Sequence, residues 1–362
     1  MRVLVWQWGR RGGGPRYAVE LAEAIGQMPG CEVLLSLSRQ AELLAGAMPP
    51  DCDLPVETYT SGFGFLWRFL CQPLLIGRLA RRIRRLAPDV AICAMPALLD
   101  GMMAAALRRL GVPFFVVVHD ANAHPGDNFP FMMPLQQRLM RRADGLVTLS
   151  AHVAAQLRAK GLGQTAPIIV TPHPPRRFGP PPPAPMAHGG RLRLLNFGRL
   201  LPYKGLDLLA AALRRLGPAP ALDVRIVGQG PESDEIAALR ALPYVRVENR
   251  WVPEEEIGAV MAWADALVLS HREASQSGAA SAAIAARRWV VATEVGGIAE
   301  QLADEPLARL CAPTEEGLAE AIRGLMTAPP VAAAPGADAD ARWAAGVANL
   351  VLQLRAATAR RG

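Results

Sequence analysis

An alternation of short β-like runs with helical stretches, broken once by prolines and then resumed, constrains this chain more than any other feature. In the first half, residues 2–6, 32–36, 88–93, 113–118 and 145–149 read as strands. Residues 17–27, 99–109 and 151–159 read as helices, the first with Val19, Ala22 and Ile25 at helical spacing. The run 113–118 is continuously apolar, as in a parallel strand covered on both faces. Then comes Thr171-Pro172-His173-Pro174-Pro175, followed by Pro180 to Pro183, Pro185 and Gly189-Gly190. A stretch of that composition is stiff and extended, which makes it a domain linker. Beyond it, strands at 193–197, 223–227, 245–248, 266–269 and 290–293 alternate with helices at 205–215, 233–242, 254–263 and 278–286. A second Pro/Ala/Gly stretch, 329–336, precedes a last helix at 338–357. Strict alternation predicts an α/β chain with two doubly wound parallel sheets. The expected domains are 1–175 and 191–335, with a linker at 176–190 and a terminal segment at 336–362.

Length agrees, since 362 residues suit two domains at about 150 residues each. A hydrophobic fraction of 51% against 20% charged excludes intrinsic disorder. Uncharged apolar runs fall well short of the ~18 residues a membrane span needs. Arg10 and Arg11 follow the first strand too soon for the apolar region of a signal peptide. Five scattered cysteines (Cys31, Cys52, Cys71, Cys93, Cys311) contain no C-x-x-C pair, so neither a zinc site nor a disulfide framework is expected. A reducing, cytoplasmic setting fits. The net charge of +7 favours anionic partners without choosing among them, and it alone speaks for nucleic acid. Only Lys160 and Lys204 are lysine, which singles out a lysine inside a motif.

Five segments could carry chemistry. Gly12-Gly13-Gly14 lies between the first strand and the first helix, where glycines admit a ligand to the backbone and to the helix N-terminus. An ordinary strand–helix turn is the alternative, and the G-x-G-x-x-G spacing of a dinucleotide site is missing. The second segment runs from Asn196-Phe197-Gly198-Arg199 to Tyr203-Lys204-Gly205, placing two cations on a loop after a strand and before a helix. At the carboxyl end of a parallel sheet, that pair suits a diphosphate. Gly228-Gln229-Gly230-Pro231 is a glycine turn at another strand end. His271-Arg272-Glu273-Ala274-Ser275-Gln276-Ser277-Gly278 places a carboxylate and hydroxyls beside a helix start, suited to sugar hydroxyls or to plain capping. Thr293-Glu294-Val295-Gly296-Gly297-Ile298-Ala299-Glu300 reads as a further ligand loop. The run from His119 to Asp127 holds two histidines and two carboxylates, but its spacing is no standard metal pattern. His173 suits either a cleft lining or a turn.

The ordered set G-R-x-x-x-x-K-G, V-G-x-G-P, x-x-E and T-x-V-G-G-x-x-E resembles the retaining glycosyltransferases of family four, over nearly the whole chain. Pro88-Asp89-Val90 and Val118-His119-Asp120 are similar to two strand-boundary motifs of that family. The resemblance implies the GT-B fold, two Rossmann-like domains facing a cleft, with the last helix crossing back to the first domain. It implies a nucleotide-sugar donor, UDP- or GDP-linked, as co-substrate, no resident cofactor, and no bound metal. It assigns Arg199 and Lys204 to the donor diphosphate, Glu273 to sugar hydroxyls and His119 to the transferred sugar. Gly198, Gly228, Gly230, Ser277, Gly278, Gly296, Gly297 and Ile298 would border the donor, and Gly12 to Gly14 the acceptor side. No protein nucleophile is implied; the departing phosphate assists attack from the same face.

Two departures stand out. The family's second Glu, which binds ribose, falls at Ser281 or Ala282, and the expected G-x-P-V-V before Thr293 reads Arg287-Arg288-Trp289-Val290-Val291. The expectation is a cytoplasmic hexosyltransferase acting on a glycan or polyprenyl-linked glycan in bacterial polysaccharide or glycolipid assembly. A non-catalytic GT-B scaffold and an NAD(P)-dependent enzyme are the competing classes; nucleotide-sugar turnover and a cofactor titration separate them. Residues 63–86 add a partner. Phe63, Phe65, Leu66, Trp67, Phe69 and Leu70 precede a helix at 75–86, striped by Leu75, Leu79, Ile83 and Leu86, with Arg78, Arg81, Arg82, Arg84 and Arg85 elsewhere. An anionic membrane surface and ordinary packing on the first sheet are both open there.

Overall fold

In a computed structural model, residues 1–46, 48–123, 132–164, 166–179, 190–218, 221–327 and 339–359 are described. His124 and Asp127 of the histidine-rich run, most of the proline linker and the stretch 329–336 lie outside them. The chain divides into two compact units. One is formed by the described residues of Met1–Asn122, Phe129–Pro174 and Arg342–Gly362, the other by those of Ala123–Asn128 and Pro175–Ala341.

The first unit comprises β1 (Arg2–Gln7), α1 (Gly13–Gly26), β2 (Glu32–Leu37), α2 (Gly62–Leu70), α3 (Gln72–Leu86), β3 (Val90–Cys93), α4 (Asp100–Leu110), β4 (Phe114–Val118), α5 (Met132–Met140), β5 (Gly145–Thr148), α6 (Ala151–Ala159) and β6 (Ile168–Val170). Its sheet is parallel, in the order β2-β1-β3-β4-β5-β6. Side chains alternate across a strand, so β1 feeds two cores. Leu4 and Trp6 pack with α3 and α4 on one face, while Val3 and Val5 pack with α1 on the other. β4 is Phe-Phe-Val-Val-Val with every residue buried, as a central strand covered on both faces requires.

The second unit comprises β7 (Leu192–Phe197), α7 (Leu206–Arg215), β8 (Leu222–Gly228), α8 (Asp234–Arg240), β9 (Val245–Asn249), α9 (Glu254–Trp263), β10 (Ala266–Leu269), α10 (Gly278–Ala285), β11 (Trp289–Thr293), α11 (Gly296–Leu302), β12 (Ala308–Cys311) and α12 (Glu315–Thr327). Its sheet order is β12-β11-β10-β7-β8-β9, so β7 and β10 are the neighbours at which the winding reverses. That reversal is the topological switch point where open α/β sheets take ligands. The last helix, α13 (Ala339–Ala359), sends Trp343, Val347, Leu350, Val351 and Leu354 into the core that α1 and β1 share. By its packing it is part of the first unit.

The helix expected at 75–86 begins three residues earlier, at Gln72, and α2 precedes it as a separate helix. Ser61 caps α2 by accepting from the Gly64 N–H at 3.1 Å. On α3, Leu79 and Ile83 are buried with Ile76 and Ala80, and Leu75 and Leu86 are half-buried. The stripe therefore packs on the sheet, and all five arginines are exposed.

Candidate functional site

Three loops at the carboxyl ends of β7, β10 and β11 are tied together in the second unit. The first begins at Gly198, in the left-handed region at φ +132°, and ends at Gly205, φ +64°. A Cβ on Gly205 would stand 2.0 Å from the Ser270 carbonyl oxygen, so only glycine lets α7 start against β10. The intervening turn, Pro202–Lys204, is fixed from the β10 side. Arg272 N–H donates to the Tyr203 carbonyl at 2.9 Å, and Ser270 Oγ donates to the Lys204 carbonyl at 2.9 Å. Arg272 also pairs with Asp207 in the first turn of α7, and its hydrogen bond holds the Asp207 carboxyl below its ordinary range.

The two cations share a scaffold. Arg199 Nη2 donates to the Tyr203 hydroxyl at 3.0 Å, and its guanidinium lies 5.6 Å from that ring. The Lys204 ammonium lies 5.2 Å from the same ring. Lys204 Nζ is 2.8 Å from His271 Nε2. At that distance the lysine ammonium can donate to the imidazole nitrogen. Tyr203 and His271 are both buried, whereas Arg199 is exposed and Lys204 half-buried. Tyr203 and His271 therefore aim two cations into one region at the switch point, and sequence reasoning assigned neither a role. Lys160 is different: it donates to the Ala121 carbonyl and, at 2.6 Å, to Asn122 Oδ1 in the first unit.

The third loop joins through Gly297 N–H, which donates to the Ala274 carbonyl at 2.8 Å, beside exposed Glu273. Thr293 Oγ1 donates to the His271 carbonyl at 2.6 Å. Gly296 has φ +47° at the first position of α11. Gln301 reaches back from α11: its Oε1 accepts from Ser277 N–H at 2.9 Å, and its Nε2 donates to the Ser277 carbonyl at 3.1 Å and to Ser281 Oγ at 2.8 Å. Ser281, one of the two positions at which the family's second Glu would fall, is thus a buried link between α10 and α11.

Several expected donor residues carry structural duties. The Ser277 side chain caps α10, accepting from Ala280 N–H at 3.2 Å just before Gly278 opens the helix. The Ile298 side chain is wholly buried in the core under α10, so only its backbone can face a ligand. Gly228 and Gly230 are enforced by backbone, because a Cβ would stand 1.6 Å from the Gly198 oxygen in one case and 2.0 Å from the Leu200 oxygen in the other. Asn249 pins this turn, accepting from Gly230 N–H and donating to its carbonyl, both at 3.0 Å.

In the first unit, Gly12 caps α1 at φ +81°, and Gly13 and Gly14 already belong to the helix. Gly14 packs against Gln7 and Met95, where a Cβ would come within 2.8 and 3.1 Å. His119, at the end of β4, is buried, with Nε2 2.9 Å from the Ala94 carbonyl oxygen and its ring 4.8 Å edge-on from Tyr17. His173 lies 6.4 Å from the same Tyr17 ring, and its Nδ1 contacts the Pro174 carbonyl at 2.9 Å. Tyr17, which the sequence reading placed only on a helix, is the hub of this cluster. Asp100 sits beneath the β1–β3 reversal. It accepts from Trp6 Nε1 at 3.1 Å and Ala97 N–H at 2.6 Å, and burial pushes its pKa up to about 7. Among the described residues, no group of three or more His, Cys, Asp or Glu could hold a metal ion.

With this geometry in place, known proteins supply the class. Residues 12–174 match the model of the glycosyl transferase 4-like domain, and residues 191–328 match that of the glycosyl transferases group 1. A search of curated proteins finds no match. Among solved structures, sucrose-phosphate synthase from Thermosynechococcus elongatus aligns with a TM-score of 0.70 at 16% identity, covering 99% of each chain. HepE from Anabaena, in complex with UDP and glucose, gives 0.64 at 17% identity, covering 100% of this chain and 95% of its own. The lipopolysaccharide outer core galactosyltransferase WaaB gives 0.59 at 15% identity, over 90% of this chain and 91% of its own. Two doubly wound units and this pair of domain matches define an enzyme of the GT-B glycosyltransferase class. The chain belongs to the glycosyl transferases group 1, preceded by the 4-like domain that accompanies it here.

Proposed function

We propose that the enzyme moves a hexose from a UDP- or GDP-linked donor to a glycan hydroxyl, with retention of configuration. The observation that carries the reading is the Arg199–Tyr203–Lys204–His271 arrangement at the β7–β10 switch point. Breaking the anomeric C–O bond leaves negative charge on the β-phosphate, and two pre-aimed cations stabilise it without reorganising. The acceptor hydroxyl attacks from the leaving group's face and passes its proton to the departing phosphate oxygen. Glu273 holds sugar hydroxyls beside the Gly296–Gly297 backbone. The neighbour in complex with UDP and glucose supports a uridine donor. The neighbour named as a lipopolysaccharide outer core galactosyltransferase supports an acceptor glycan carried on lipid; we extend this to a polyprenyl-linked glycan in surface polysaccharide or glycolipid assembly.

The test is a transfer assay with UDP- and GDP-hexoses. Arg199→Ala and Lys204→Ala should each lower transfer by about 10² or more, as for removal of a donor that stabilises transition-state charge. Glu273→Gln should abolish transfer while nucleoside diphosphate still binds. Near-normal turnover in either cation variant would end the diphosphate assignment. Loss of nucleotide affinity in Glu273→Gln would end the sugar assignment.

A further inference from the structure

Helix α2 is unusual because none of its nine residues is buried, yet most of them are apolar. Phe63 is 80% exposed, Trp67 62%, Leu70 66%, and Leu74 at the start of α3 73%. A soluble surface seldom leaves so many large apolar side chains together unless something covers them. The helix is nevertheless anchored: Phe65 turns inward, its ring 5.4 Å edge-on from Tyr59 and packed against the core of the first unit. The same surface continues onto α3 as exposed Arg78, Arg81, Arg82, Arg84 and Arg85. Between α3 and the residues after β2 lies a cavity of about 370 Å³, lined by Arg39, Arg68, Arg78 and Arg82, with Glu57 the only acidic side chain on its wall. Glu57 pairs with Arg68 at 2.8 Å, so three guanidinium groups on the wall exceed the local negative charge.

Charge decides the occupant. A second copy of the chain, docked isologously, would set this arginine face against itself. An anionic lipid surface complements both halves: headgroup phosphates meet arginines, and aromatic and aliphatic side chains meet the acyl boundary. Among the described residues no helix is long and apolar enough to cross a membrane, so the contact is made from one side. We propose that α2 and the arginine face of α3 dock on an anionic phospholipid bilayer, with Phe63, Trp67, Leu70 and Leu74 inserted at the acyl boundary and a lipid phosphate seated in the arginine-lined cavity. The proposal does not rest on the donor assignment, which concerns the other unit.

The test is co-sedimentation of the full chain with vesicles of phosphatidylcholine alone and of equal parts phosphatidylcholine and phosphatidylglycerol. The enzyme should bind the anionic vesicles and not the neutral ones, and high salt should weaken the binding. Arg78→Gln with Arg82→Gln should weaken partitioning about thirtyfold, from about 1 kcal/mol per arginine near the surface. Phe63→Ser with Trp67→Ser should abolish it. All four side chains are exposed or solvent-facing, and circular dichroism of each variant verifies the fold. Failure to bind anionic vesicles at low salt overturns the proposal, and so does binding that Phe63→Ser with Trp67→Ser leaves unchanged. A wild-type dimer that this apolar variant dissociates, without vesicle binding, also overturns it and identifies a second copy as the occupant.

Discussion

Replacing His271 by alanine removes the acceptor that holds the Lys204 ammonium at 2.8 Å. A hydrogen bond to a charged group contributes about 1.5–3 kcal/mol, which sets the expected loss at about 10- to 150-fold. The upper end is limited by the lysine itself. If the histidine acts only through Lys204, its removal cannot cost more than removing Lys204, about 10². Transfer in His271→Ala should therefore fall about 10- to 100-fold, mostly in kcat, because the ammonium matters most as charge develops on the leaving phosphate. His271 is buried, so the variant also loses about 1–3 kcal/mol of stability. Kinetics are accordingly measured well below its melting point. The decisive comparison is a double-mutant cycle. In a Lys204→Ala background, His271→Ala should cost less than about threefold, since the group it positions is gone. Equal losses in both backgrounds would refute the idea that His271 is a positioning residue for Lys204.

Two further outcomes follow from the structure. Burial raises the folded-state pKa of Asp100 from 3.8 to about 7, so its contribution to stability is complete below the unfolded pKa and is lost as pH rises through about 7. Urea unfolding of the wild type between pH 4 and 8 should show that decline by a few kcal/mol, and Asp100→Asn should remove most of it. Arg287 ends α10 in the left-handed region at φ +53°, with Arg287 and Arg288 N–H groups bonded back to Ile284 and Ala283. Glycine relieves that backbone, so Arg287→Gly should raise stability by about 1 kcal/mol in thermal melts, and a fall would contradict the strain argument.

The strand–helix alternation was readable because both sheets are parallel and buried, which turns strands such as Phe114–Val118 into uninterrupted apolar runs. Both halves hold elements absent from the sequence reading, α5 and β6 among them in the first. No strand was expected at Ala308–Cys311, a short partly buried edge strand, and Gly296-Gly297 read as loop although it opens α11. In α12, Leu318, Ile322 and Leu325 share one buried face at helical spacing, a signal the sequence does carry. Helix α2 was visible only as an aromatic cluster, since Gly62 and Gly64 mask its propensity and Ser61 supplies the cap. The glycine motifs do mark special backbone, with positive φ at Gly12, Gly198, Gly205, Gly228 and Gly296. Sequence could not distinguish a glycine that admits a ligand from one such as Gly228, which admits the Gly198 carbonyl. Arg199 and Lys204 were legible from one loop. The Lys204 partner His271 stands 67 residues further on, and only the neighbouring of β7 and β10 brings it within bonding distance.

Calorimetric titration with nucleoside diphosphate tests the central claim most directly. If Arg199 and Lys204 hold the diphosphate, as proposed, the wild type should bind UDP or GDP far more tightly than the corresponding monophosphate. The Arg199→Ala, Lys204→Ala double variant should lose that preference while keeping its fold. Equal affinity for diphosphate in the wild type and the double variant would contradict the account.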